Sequence, residues 1–396
     1  MLPAELPGES VGERLKAARK FAGVTQAQLA RATSFSVSLI KKVEQGQVPP
    51  SAAFVAEAGR ALAVKAATLY GMQQIVDEPS PEAAGVAELR SALDAYDDPR
   101  PEGPALDLAA VTARLGTDSE KVLKLRHDEV AGRLAGLLHH LYVLSDQPGR
   151  PGELVNATLH DAYRMAATVA GRFRQPELAA IASERHVQLA ERTGDPRRIA
   201  ISSYHRSTRY LQHGEYRAGL RLLDRAREHL DATAAGRAVQ IQLDLRASIL
   251  AARAGDGAEA DGYLEEARAI AREFEPPEVP YYGVDASSTN ILAHWCAAPV
   301  ERYDGAEAVR RAAKVNVDDP RRPERVGHHH MDMGRAWMLH GDRAKAVSEL
   351  NVARRAAPNA VRHHPSFRET LLGLAAADRR ATGSLAGLAK WSGVKL

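Results

Sequence analysis

The side chains best placed to do chemistry lie close together in the sequence: Val37, Ser38, Lys41 and Lys42, preceded by Ser36. If Ile40 and Val43 turn inward on a short helix, those four point outward, and they are short or flexible enough to enter a groove. Lysine contacts guanine or phosphate, and the N-terminal end of a helix carries a dipole that favours an anion. The pattern therefore implies recognition of a polyanion rather than bond-making. Ser38-Leu39-Ile40-Lys41 spells a Ser-x-x-Lys motif, but it lies on that same helix with no other catalytic motif. No phosphate loop or GxGxxG turn occurs. The histidine runs His139-His140, His328-His329-His330 and His363-His364 do not suggest a metal, since helix neighbours point about 100° apart and no HExxH or paired cysteine accompanies them. No enzyme activity, metal or cofactor is expected.

The elements that position these residues can be read locally. Val11 to Phe21 reads as a helix with Val11, Leu15 and Ala18 on one face, ended by Gly23. Thr25 caps a second helix, with Gln28 placed to complete a capping box. Ser36 caps the third helix, and Leu29, Phe35, Ile40 and Val43 can close a core beneath both. Pro49-Pro50-Ser51 stops the chain before a fourth helix, Ala52 to Leu62, and Thr68-Leu69-Tyr70 opens a short fifth. Two short helices with a tight connection form a bihelical unit that presents its second helix to a groove.

Arg19, Gly23-Val24-Thr25-Gln26, Leu29-Ala30, Ile40, Glu44-x-Gly46, Pro50 and Ala61-Leu62-Ala63-Val64 together resemble the Cro/Xre family of phage-repressor-type DNA-binding domains. The resemblance implies a five-helix domain in which Arg19 pairs internally with Glu44, while Gln26 and Ser36 at the helix starts grip phosphates. It also implies that Val37, Ser38 and Lys42, with Lys41 beside them, face base edges. A dimer on a near-palindromic double-stranded operator follows from the same resemblance, with half-sites about one helical turn apart or a multiple of it. Ser34 departs from the family, which usually has glycine at that turn. A positive φ there would cost about 1 kcal/mol.

Residues 73–104 change composition, with Asp77-Glu78-Pro79-Ser80-Pro81 and Asp97-Asp98-Pro99-Arg100-Pro101-Glu102-Gly103-Pro104 flanking one helical pattern. Such proline density stiffens a connector. The expected organisation is a head over 1–72, a linker with one helix over 73–104 and a helical body over 105–396.

In the body, a glycine followed by small residues and leucine recurs: Gly214, Gly219, Leu223, Ala226; Gly255, Ala260, Leu264, Ala267; and Gly341, Ala346, Leu350, Ala353. The leading glycines lie 41 and 86 residues apart, so a unit is missing, and Ala306, Arg310 and Ala313 occupy it weakly. Small residues, Ser207, Ser248 and Gly334, precede each glycine by seven. Tyr163 to Thr193 is expected to add a pair and residues 105–145 to cap the array. This spacing resembles the tetratricopeptide repeat, which implies a superhelix with a concave face. In that register Tyr204, Thr208, Gln242, Trp295, His328, Met331 and Arg335 line a ligand groove. Head and body together are similar to peptide-responsive quorum-sensing regulators, which implies a peptide or small-molecule effector. A contrasting expectation is a protein-interaction scaffold whose body recruits a partner and whose head only anchors it.

Composition agrees with an all-α protein: Ala, Leu and Arg are abundant in the 396 residues, and only 5% are aromatic. Residues 1–72 hold nine Lys/Arg against five Asp/Glu, while the remainder is close to neutral, which suits polyanion contact through the head. A single cysteine, Cys296, excludes an intrachain disulfide, and it is expected to be a buried small hydrophobe. With no signal-peptide pattern at the start and no apolar run of membrane-spanning length, a cytoplasmic bacterial protein without membrane contact is expected.

Overall fold

The computed structural model describes residues 6–71, 81–124, 126–145, 150–173, 175–273, 283–362, 364–377 and 383–394, and their regular elements are all helices. None of these helices is long and apolar enough to cross a membrane. The head comprises α1 (Val11–Phe21), α2 (Gln26–Ala32), α3 (Val37–Glu44), α4 (Ala52–Ala61) and α5 (Ala66–Leu69). Caps set its boundaries. The Thr25 hydroxyl accepts the Gln28 N–H at 3.2 Å while the Gln28 side chain accepts the Thr25 N–H at 2.8 Å. Ser10 and Glu13 form a second capping box at α1, and Ser36 and Ser51 cap α3 and α4. Leu15, Leu29, Ile40, Val43, Phe54 and Leu69 are buried together beneath these helices. Ser34 does not adopt a positive φ. The expected strain is absent because Ser34 instead bonds Glu57, its N–H at 2.9 Å and its hydroxyl at 3.0 Å from Oε2.

The body begins earlier than the proline pattern suggests. Residues 72–80 lie outside the described residues, but α6 (Pro81–Asp94) buries Val86, Leu89 and Leu93 against α8 (Ala131–Ser145), with α7 (Leu108–Leu123) alongside. The linker helix is thus part of the body's core, because its apolar residues recur every three or four positions. There follow α9 (Arg150–Arg172) and α10 (Pro176–Thr193), a pair whose first helix starts well before Tyr163. Four further pairs are α11 (Pro196–His213) with α12 (Tyr216–Arg227), α13 (Ala234–Arg253) with α14 (Gly257–Glu273), α15 (Ser288–Glu301) with α16 (Gly305–Ala312), and α17 (Pro323–His340) with α18 (Arg343–Ala356). Three helices, α19 (Pro358–Val361), α20 (Pro365–Ala377) and α21 (Gly383–Ser392), close the array. The first helices α11, α13, α15 and α17 pack successively against one another and share an inner face.

The missing unit is the α15–α16 pair, displaced by two residues from its expected register. Gly214, Gly255 and Gly341 turn the chain between paired helices at φ of 73, 82 and 98°. In the third pair that position is Tyr303, at φ 63°. Five residues later, where the other pairs have Gly219, Ala260 and Ala346, stands buried Ala308 rather than Ala306. Seven residues before Tyr303 stands Cys296, equivalent to Ser207, Ser248 and Gly334 and fully buried like the two serines. Burial pushes its thiol up to about 12, so it serves as a small packing residue.

A left-handed tyrosine costs about 1 kcal/mol or more relative to glycine. Its position accounts for that: the Tyr303 hydroxyl accepts the Ser51 N–H at 2.7 Å, at the N-terminus of α4, and Arg335 lies 4.9 Å beneath its ring. The head is seated on the turns of the array. Tyr216 donates to the Ala53 carbonyl at 3.3 Å, Glu369 of α20 accepts the Val11 N–H at 3.3 Å, and Gly46 lies close to Ala376. Burial raises the Glu369 carboxyl to about 7, against the opposing effects of the Val11 N–H and Arg14.

Two tests follow from this packing. A methyl group on Gly334 would meet buried Leu350 at 2.8 Å, whereas one on exposed helical Gly262 would meet nothing within 4 Å. In urea melts Gly334→Ala is expected to lose about 1–3 kcal/mol and Gly262→Ala to gain about 0.5–1 kcal/mol. For Glu369, the folded chain holds a proton that the unfolded chain releases nearer 4.5, so its contribution is full below about 4.5 and is lost as pH rises through about 7. Glu369→Gln should therefore gain stability relative to wild type between pH 5 and pH 8, and a relative loss over that range would contradict the assignment.

Candidate nucleic-acid interface

The geometry of the head rests on three side chains. Arg19 of α1 donates from Nε to Glu44 Oε1 at 2.6 Å and from Nη2 to Oε2 at 2.8 Å, and its Nη1 donates to the Val24 carbonyl at 2.9 Å. The bidentate bond to Glu44 raises the Arg19 guanidinium above its ordinary range, against the effect of burial. Such fork-to-carboxylate pairing fixes orientation as well as distance. The third member is Gln26, whose Nε2 donates to Glu44 Oε2 at 2.8 Å. The sequence reading placed Gln26 on phosphate alone. In the structure its amide also ties the start of α2 to the end of α3, which leaves one N–H of that amide for a second partner.

The outward face of α3 is clear of the other described residues. Ser36, Val37, Ser38, Lys41 and Lys42 are all exposed, Val37 by 44% despite being apolar. Neither lysine has an ion-pair partner among the described residues. Ser36 accepts the Leu39 N–H at 3.2 Å, so its hydroxyl hydrogen stays available to donate. The inward face carries Ile40, Val43 and Glu44, all buried. The seats on the body are the start of α1, the start of α4 and the turn after α3. Seating the head therefore leaves this surface open. It can present hydroxyl, methyl and ammonium groups to a groove while exposed backbone N–H groups at two helix starts face an anion.

The expected groove residues divide. Tyr204, Thr208 and His328 are half-buried on the inner face, and Gln242 is buried there with its carbonyl accepting the Asp285 N–H at 3.0 Å. Trp295 is a correction: Arg268 and Arg311 flank its ring at 4.9 and 5.3 Å, on the side of the second helices. The residue equivalent to Arg246, nine before the turn, is His294. Met331 is a second correction, buried in the core formed with α18 and α20. Arg335 is a third, buried under the Tyr303 ring where the head sits. Close by, Arg253 forms a two-pronged bond with Glu301 at 3.0 and 3.1 Å, joining α13 to α15. Sequence reasoning missed Arg246 and Arg325, although each lies three or four positions from an expected lining residue on the same helix. His363 lies outside the described residues. No group of His, Cys, Asp and Glu among the described residues could hold a metal ion.

Residues 10–69 match the family model described as a helix-turn-helix domain. No curated protein and no solved structure matches the chain. With the bihelical geometry of α2 and α3, the match defines the N-terminal unit as a helix-turn-helix DNA-binding domain; it covers α1 to α5 and stops before the body.

Removing one member of a buried ion pair leaves the other charge without compensation, at a cost of about 3–5 kcal/mol. Glu44→Ala should therefore loosen α1, α2 and α3 together. The measurement is amide hydrogen exchange of the full chain, with accelerated exchange over residues 11–44 expected and protection within α13 unchanged.

Proposed function

We propose that this chain is a transcription regulator that reads a specific double-stranded DNA sequence through α3. The observation that carries the reading is the outward row Val37, Ser38, Lys41 and Lys42, left exposed while Arg19, Glu44 and Gln26 fix the helix behind it. Ser36, the remaining N–H of Gln26 and the starts of α2 and α3 grip phosphates, and Val37, Ser38 and Lys42 face base edges, with Lys41 beside them. Lysine at the groove supplies both charge and a donor for guanine. The protein acts in the cytoplasm as a homodimer on a near-palindromic operator, following the organisation of phage-repressor-type domains. Its body is a tetratricopeptide-like sensor in which a small effector on the inner face alters how the heads are held. Such an effector shifts the equilibrium only by as much as it prefers one body arrangement over another. Direct bonds between the head and the turns of the array support this coupling.

The test is binding to DNA from the region upstream of the chain's own reading frame, followed through a salt titration. For Lys41→Ala/Lys42→Ala, affinity should fall at least tenfold and the slope of log K against log salt should flatten by about one per phosphate contact removed. Equal affinity and slope for both proteins would overturn the assignment of α3.

A further inference from the structure

We propose that the inner face of the body holds a site for an anionic small molecule carrying at least two carboxylate or phosphate groups, bound by Arg164, Arg246 and Arg325. This deepens the effector reading given above and rests on it for its regulatory meaning, although not for the binding itself.

The three arginines come from α9, α13 and α17 and border one segment, 283–285: Gly283 packs on Arg164, Asp285 reaches Arg325 at 3.7 Å, and the Asp285 N–H donates at 3.0 Å to Gln242, one turn before Arg246. Arg325 acts on Tyr204, His294 and His328, Arg246 acts on Tyr204, His294 and His205, and Arg164 acts on His205. The partners of Arg246 are neutral. Arg246 donates to the Tyr204 hydroxyl at 2.8 Å and to Thr208 at 3.4 Å, with its guanidinium 4.4 Å from the Tyr204 ring centroid. Arg164 packs against the backbone of Gly283 so closely that a Cβ there would lie 2.3 Å from its Cζ, and its buried Nε has no hydrogen-bond partner among the described residues. Among the described residues, the acidic groups nearby are shared with other arginines: the charge of Asp161 acts on Arg164 as well as on Arg198. Asp161 pairs with Arg198 at 2.9 Å and Glu324 pairs with Arg172. Asp285 pairs with Arg322 at 2.7 Å and reaches Arg325 only at 3.7 Å. Asp332 is grouped with Glu301, Arg253 and Arg335 beneath the head.

A positive excess in a half-enclosed space is unfavourable unless an anion completes it. The histidines report the same excess. Burial, then the charge of Arg325, holds His294 and His328 down to about 3, so both rings are neutral near pH 7 and act as hydrogen-bond partners rather than additional cations. Guanidinium groups bind carboxylate or phosphate by two parallel bonds, and Tyr204 and the neutral imidazoles can orient the remainder of the molecule.

The experiment uses the full chain with citrate and inorganic pyrophosphate as probes, by calorimetry and thermal melts, against potassium chloride at matched ionic strength. Wild type should bind one or both probes with a Kd at least tenfold lower than Arg164→Gln or Arg246→Gln. A tighter pyrophosphate complex would identify a phosphorylated ligand, and a tighter citrate complex a polycarboxylate. Arg246→Lys, which retains charge but loses the fork, should bind at an intermediate level and guards against a misfolded glutamine variant. Unchanged binding by these variants, or no preference of wild type for either probe over chloride, would overturn the site. DNA affinity measured with and without probe separates the two levels: binding of the probe with unaltered DNA affinity leaves the anion site standing and removes its role in regulation.

Discussion

The bond between Arg19 and Glu44 sets the geometry from which everything at the reading surface follows. It joins the first helix of the head to the third across a chain separation of 25 residues, and Gln26 adds the second helix to the same carboxylate. An ion pair of this kind contributes orientation more than net stability, because removing two charges from water offsets most of their attraction. Its consequence is positional. With Ile40, Val43 and Glu44 held inside, Val37, Ser38, Lys41 and Lys42 stand exposed on the opposite face.

A second constraint is the seam between head and body. Three of the four turns from α11–α12 to α17–α18 use glycine at positive φ, and the fourth places a tyrosine there. The local strain coincides with a long-range bond, from the Tyr303 hydroxyl to the start of α4. The body thus holds the head by its turns and its closing helix α20, and carries Arg164, Arg246 and Arg325 on α9, α13 and α17. A change on that face has a short route to the head through α13, α15 and α17, whose ends carry Arg253, Glu301 and Arg335.

What could be read from the sequence was what neighbouring residues decide among themselves. The starts of α2, α3 and α4 follow from Thr25, Ser36 and Ser51, since a cap requires only a side chain and an N–H two or three residues on. The repeat was legible wherever glycine turned the chain. It failed at the third pair, where Tyr303 replaces that glycine for a reason lying 252 residues away in the chain, and the register shifted by two residues drew in Trp295 in place of Ala297. Ser34 was misread for a similar reason: the partner that removes the need for glycine is Glu57, on another helix. The helix between the proline clusters was legible, but the prolines made α6 read as a linker although its apolar face, Val86, Leu89 and Leu93, belongs to the body. Charge compensation on the inner face depends on five helices at once, and spacing along one helix does not encode it.

Hydrogen exchange of the full chain, with and without DNA from its own upstream region at low salt, is the most direct measurement of the reading surface. The expected result is added protection over residues 26–30 and 36–42, with no direct gain at the residues of α4 seated on the body. Added protection confined to the helical pairs of the body, or none at the start of α3, would contradict it.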